Sequence, residues 1–283
     1  MDWLTDPFQL ELLQRTLVAG LLTAIAGAVV GTWVVIRGLT FMSDALAHGV
    51  LPGIAVAFLL DIDPVIGAVA SAVVMVAGVR LVANRSKLPE DVGIGLLFVG
   101  MLALAVVIIS RSDSFATDLT SFLFGDVLGV SVGDLWFQAG ATTLCLIVAF
   151  VGHRAFLALS LDEDRAALFG FRPRLAETAL LGLIALTVVS GFQAVGSLLV
   201  FGLIVGPPAA ASLVARRVPV MMLVAAVLGM TAVVAGLVLS YHLDTAAGAT
   251  MSGLAVLEFF IILAVRDGLA FVSRRREPLP AAT

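Results

Sequence analysis

The chain has 283 residues, of which 61% are hydrophobic and 13% charged, where an ordinary soluble domain carries roughly 25% charged residues. Together with a mean hydropathy of +1.14, this excludes a soluble fold and puts most of the chain in lipid, where only helices or closed barrels satisfy the backbone. The single Cys145 excludes a disulfide framework, and a net charge of -4 excludes strong attraction to nucleic acid.

The apolar runs are continuous rather than alternating, which selects helices over a barrel. The chain opens with Asp2, Asp6 and Glu11 where a secretory signal needs a basic start, so the first apolar run is read as a membrane helix. In chain order the apolar segments are 16–36, 45–60, 64–83, 92–110, 134–152, 175–190, 194–214, 218–240 and 249–265. The expected fold is an all-α polytopic membrane helix bundle of about nine spans, with eight to ten compatible with the pattern. The weakest segment is 45–60, which is short and opens on polar residues. Leu119 to Val130 is too short to span and reads as an interfacial or re-entrant element.

Lys and Arg fix the expected orientation. With the N-terminus outside, one side receives all of the 16 basic residues except Arg15 and Arg111. That side is then the cytoplasm, and it holds the C-terminus. The opposite side carries Asp61, Asp63, Asp113, Asp118, Asp126, Asp134 and Asp244. Residues 1–283 read as one transmembrane domain, with a hydrophilic connection at 153–174 and a cytoplasmic tail at 266–283. The pairs Gly27 with Gly31 and Gly202 with Gly206 suit close helix contact in lipid.

The segment from Arg37 to Gly53, Arg-Gly-Leu-Thr-Phe-Met-Ser-Asp-Ala-Leu-Ala-His-Gly-Val-Leu-Pro-Gly, carries the most chemistry. Asp44 and His48 are four residues apart, hence on one helical face. A carboxylate oxygen and an imidazole nitrogen are good ligands for Zn(II), Mn(II) or Fe(II). Pro52 cannot donate to the carbonyl of residue 48, so a local helix break is expected beside the pair, with Pro52 and Gly53 as path or gating positions. The plainer alternative makes Ser43 or Asp44 a helix cap and His48 a packing residue. One Asp and one His are half a coordination shell; a second copy of the chain, water or other residues would complete it.

His242, close to Asp244, is a candidate relay at the outer surface, and His153 beside Arg154 reads as an interfacial anchor. Glu258 lies inside the last apolar segment, so it is expected to be protonated, paired or turned to a polar cavity, and with His242 it is a candidate path or gating residue. Gly206-Pro207-Pro208 is expected to break a helix and offer a hinge. No phosphate-cradling loop can be built around the one lysine, Lys87, and no protease, esterase or dithiol motif is present, so no catalytic residue is assigned.

These residues resemble the integral membrane permease subunits of bacterial ABC importers for zinc, manganese and iron(II). The 37–53 stretch looks like that family's Gly- or Ser-Asp-Ala-Leu-Ser-His signature followed by Leu-Pro-Gly. The likeness continues through Leu123 to Leu128, Gln193 to Gly196, and Ser240 to Asp244. The resemblance implies that Asp44 and His48 are ligands on the metal path of a permease homodimer. It implies that the metal is substrate, with no cofactor permanently bound. The stretch Asp162-Glu163-Asp-Arg-Ala166-Ala-Leu-Phe-Gly170 is similar to the family segment that docks on a cytoplasmic ATPase subunit. An extracytoplasmic metal-binding protein is the remaining implied partner, besides the bilayer. His242, where an aromatic residue is more usual, and Glu258, in a generally apolar helix, depart from the pattern. An ion-gradient-driven secondary transporter or channel using Asp44 and Glu258 is the competing expectation.

Overall fold

In the computed structural model, residues 6–86, 89–110, 129–161, 170 and 172–276 are described, and among them every regular element is helical. After a short 3-10 turn at Asp6–Gln9 come α1 (Glu11–Arg37), α2 (Thr40–Gly49), α3 (Leu51–Leu59), α4 (Pro64–Arg85), α5 (Glu90–Ile109) and α6 (Val132–Leu161). The remainder is α7 (Pro173–Val195), α8 (Ser197–Ser212), α9 (Val218–Leu243) and α10 (Ala247–Arg276). Among the described residues, eight helical stretches are long and apolar enough to cross a membrane, α2 and α3 counting as one. The ninth predicted segment is α8, whose 16 residues cover about 24 Å, short of the ~30 Å hydrocarbon core. The expected interfacial element at 119–130 falls almost wholly outside the described residues.

Local chemistry sets the helix ends. Asp63 accepts the Val65 N–H at 2.8 Å, and Pro64 occupies the first turn of α4, where its missing N–H costs nothing. Ser131 and Asp134 bond reciprocally at the start of α6, the Ser131 N–H reaching the carboxylate at 2.9 Å and the Asp134 N–H reaching the hydroxyl at 3.2 Å. Gly38 closes α1 at φ 68°, with its N–H turned to the Val34 and Val35 carbonyls.

The helix α1 is central, packed by α6, α7, α8 and α9, and α10 covers α8 and α9. A second group, α2 to α5, is attached through α4 against α7 and α2 against α7 and α8. Close approach rests on small residues. A Cβ on Gly31 would overlap the Ile204 carbonyl, one on Gly27 would lie 3.2 Å from the Leu203 oxygen, and one on Gly202 would lie 2.8 Å from the Ser252 Cβ.

The predicted break at Gly206-Pro207-Pro208 does not occur: α8 runs through both prolines. They remove the donors for the carbonyls of Leu203 and Ile204, four residues earlier. Those two oxygens sit against Gly27 and Gly31 of α1, and the helix continues past them. Both α6 and α10 have 30 residues, about 45 Å each, so they outrun the hydrocarbon. The first part of the 153–174 connection is therefore still α6, and 266–276 is still α10.

Candidate functional site

The Asp44 and His48 site is built by the short helix α2 and its abrupt end. Met42, Ser43, Ala45, Leu46 and Ala47 are buried and anchor the helix, while Asp44 and His48 share the partly open face between them. His48 lies two turns in, about 12 Å along the axis from Thr40. Its Nδ1 is 3.0 Å from the Asp44 backbone oxygen and 3.6 Å from Asp44 Oδ1. A carbonyl only accepts, so the nearer contact puts the ring proton on Nδ1 and leaves the Nε2 lone pair for another partner. The Phe98 ring of α5 meets the imidazole edge-on at 5.2 Å and fixes its plane.

The helix ends at Gly49 and restarts at Leu51, so the predicted break is present, two residues before Pro52. The Gly49 carbonyl at the break has a partner: Ser71 of α4 donates to it at 2.7 Å, in a buried position. One turn on, a Cβ on Gly53 would overlap the Gly67 carbonyl, and the reverse also holds. Pro52 is buried. Thus α3 and α4 touch backbone to backbone beside the site.

Sequence reasoning passed over Ser71 and Phe98. Neither has a local signal, since a serine and a phenylalanine in apolar runs look like filler. It also passed over Arg80 of α4, whose guanidinium bonds Glu177 Oε2, the Arg174 carbonyl and the Thr178 hydroxyl of α7, each at 2.6 Å. The Arg80 and Glu177 side chains are 20% and 18% exposed. Only their pairing across 97 positions reveals the clamp.

The other predicted residues lie elsewhere. Glu258 of α10 faces α9, where Thr231 bonds its Oε1 at 2.8 Å. His242 occupies the last turn of α9 against the Tyr241 ring at 5.2 Å, and Asp244 closes that helix with φ 50°. His153 packs edge-on to Trp33 at 5.4 Å. Asp162, Glu163 and Ala166 lie outside the described residues; Gly170 has φ 79°. Among the described residues, no three His, Cys, Asp or Glu side chains converge. Among the described residues, Asp44 and His48 bring two such groups together.

The chain as a whole is similar to known proteins. The ABC 3 transport family model matches residues 9–266. The manganese transport system membrane protein MntC of Listeria innocua is 32% identical over 279 residues, covering 98% of this chain and 99% of that protein. The chelated iron transport system membrane protein YfeD of Yersinia pestis is likewise 32% identical over 279 residues, covering 99% and 94%. Among solved structures, PsaBC from Streptococcus pneumoniae in complex with Fab superposes with a TM-score of 0.82 at 30% identity, covering 92% of this chain and 94% of the matched chain. With eight membrane-length helices and this kinship, the chain is a multi-pass protein of the bacterial cytoplasmic membrane, and it belongs to the ABC 3 transport family as a permease.

Proposed function

We propose that this permease carries a divalent transition-metal cation, zinc, manganese or iron(II), inward in an ATP-driven importer. The observation that supports the reading most is the Asp44 and His48 pair, with Nδ1 engaged by a backbone oxygen and Nε2 free to bind a dication. The metal is the cargo. An oxygen and a nitrogen without thiolates bind such ions firmly enough to select them and weakly enough to release them. The names of the manganese and iron transport relatives agree with that cargo class.

Two copies about an axis normal to the membrane would bring two carboxylates and two imidazoles together and complete a tetrahedral set. The arginine-rich ends of the helices face the cytoplasm by the positive-inside rule. There the 153–174 connection, through Asp162, Glu163, Ala166 and Gly170, receives separate ATPase subunits, and the 266–283 tail lies on the same side. An extracytoplasmic binding protein delivers metal at the opposite mouth. ATP closure and release then switch the cavity between outward and inward access. Hydrolysis belongs to the partner chains.

Reconstitution tests this directly. Vesicles with permease, ATPase and binding protein take up metal on ATP addition, and vesicles with the permease alone do not. Uptake by the permease alone under a proton gradient would instead establish the gradient-driven alternative. In the full system, Asp44→Ala and His48→Ala each cut uptake at least tenfold while assembly persists. Unchanged uptake in both variants removes the pair from the mechanism.

A further inference from the structure

An open groove of about 910 Å³ runs into the bundle beside the C-terminal half of α6. Its lining includes Val29 of α1, Ile147, Phe150 and Arg154 of α6, and Pro219 and Met222 of α9. The apolar residues occupy its length, and Arg154 stands at one end. Arg216 and Arg217 are not among the lining residues, but they directly precede α9 and are two and three residues before Pro219 in the chain, so they add positive charge near that end. All three arginines are exposed. Their guanidinium groups form no hydrogen bond or ion pair with any described residue.

A second copy of the chain fits this face poorly. A two-fold interface applies each patch to itself, which would bring these arginines towards their own counterparts. An apolar trough ending in arginines that pair with no described residue has the complementarity of an anionic phospholipid: acyl chain along the trough, phosphate at the guanidinium end. Phe150, 86% exposed, offers a ring to an acyl chain and nothing to water.

We infer that this groove is a binding site for an anionic phospholipid of the leaflet that meets the arginine-rich end. The site is separate from the Asp44 and His48 pair, and the inference holds whatever the cargo. The test uses the full-length protein in nanodiscs of equal phosphatidylglycerol and phosphatidylcholine, with retained lipids weighed by native mass spectrometry. Phosphatidylglycerol is expected to be retained at least threefold above its bulk share. An Arg154→Gln/Arg217→Gln variant should return it to the bulk ratio with its helix content unchanged. Added phosphatidylglycerol should also raise the wild-type Tm by several degrees, while inorganic phosphate leaves it unmoved. Retention in the bulk ratio, enrichment that survives in the variant, or efficient dimer cross-linking through Phe150→Cys would each overturn the assignment.

Discussion

Gly53 and Gly67 hold α3 and α4 in backbone contact, each leaving no room for a Cβ on the other. The contact lies one turn beyond His48, so it sets where the broken helix resumes. Gly53→Ala and Gly67→Ala must push the helices apart, because the obstructing atoms are carbonyls. Overpacking typically costs about 1–3 kcal/mol, and a backbone clash belongs at the upper end. Both variants are expected to lose several degrees in Tm and most of their transport. Full stability in either would show that the helices do not meet this way.

A graded effect is expected along α1. A Cβ at Gly31 overlaps the Ile204 carbonyl, whereas one at Gly27 lies 3.2 Å from the Leu203 oxygen. Gly31→Ala should therefore destabilise the protein clearly more than Gly27→Ala. Thermal melts of the two purified variants in detergent measure the order, and equal melts would mean that α1 and α8 are further apart.

Ser71 is the donor that satisfies the Gly49 carbonyl at the helix break. Ser71→Ala leaves a buried acceptor unpaired, a loss of about 1–3 kcal/mol. Because the carbonyl belongs to the residue after His48, the variant should also bind Mn(II) or Zn(II) several-fold more weakly by calorimetry. A change in Tm alone, with metal binding intact, would make Ser71 purely structural.

The Arg80 and Glu177 clamp ties α4 to the first turns of α7. Removing one partner strands the other in a largely covered place, where broken pairs cost about 3–5 kcal/mol; with both side chains partly exposed, the lower half of that range applies. Arg80→Ala and Glu177→Ala should each be destabilised. The exchanged pair Arg80→Glu/Glu177→Arg should recover part of the loss, although the new arginine cannot reproduce the bonds to the Arg174 carbonyl and Thr178. No recovery would assign the stability to those other bonds.

The amino-acid sequence by itself determined the solvent, the helical class and the candidate ligands. Lipid admits no unpaired backbone, so long apolar runs must be helices. Asp44 and His48 were legible because helical spacing is a local property, and the break followed from the missing N–H of Pro52. Only the tertiary structure decided how freed polar groups were met. Pro207 and Pro208 looked like a helix break, but the oxygens they free lie on the glycines of α1 and the helix continues. The partners of His48, Gly49 and Arg80 come from Phe98, Ser71 and α7, each distant in the chain. Inside a bilayer a polar atom is satisfied by whatever helix packs beside it, and that neighbour is chosen by the fit of the whole bundle rather than by adjacent residues.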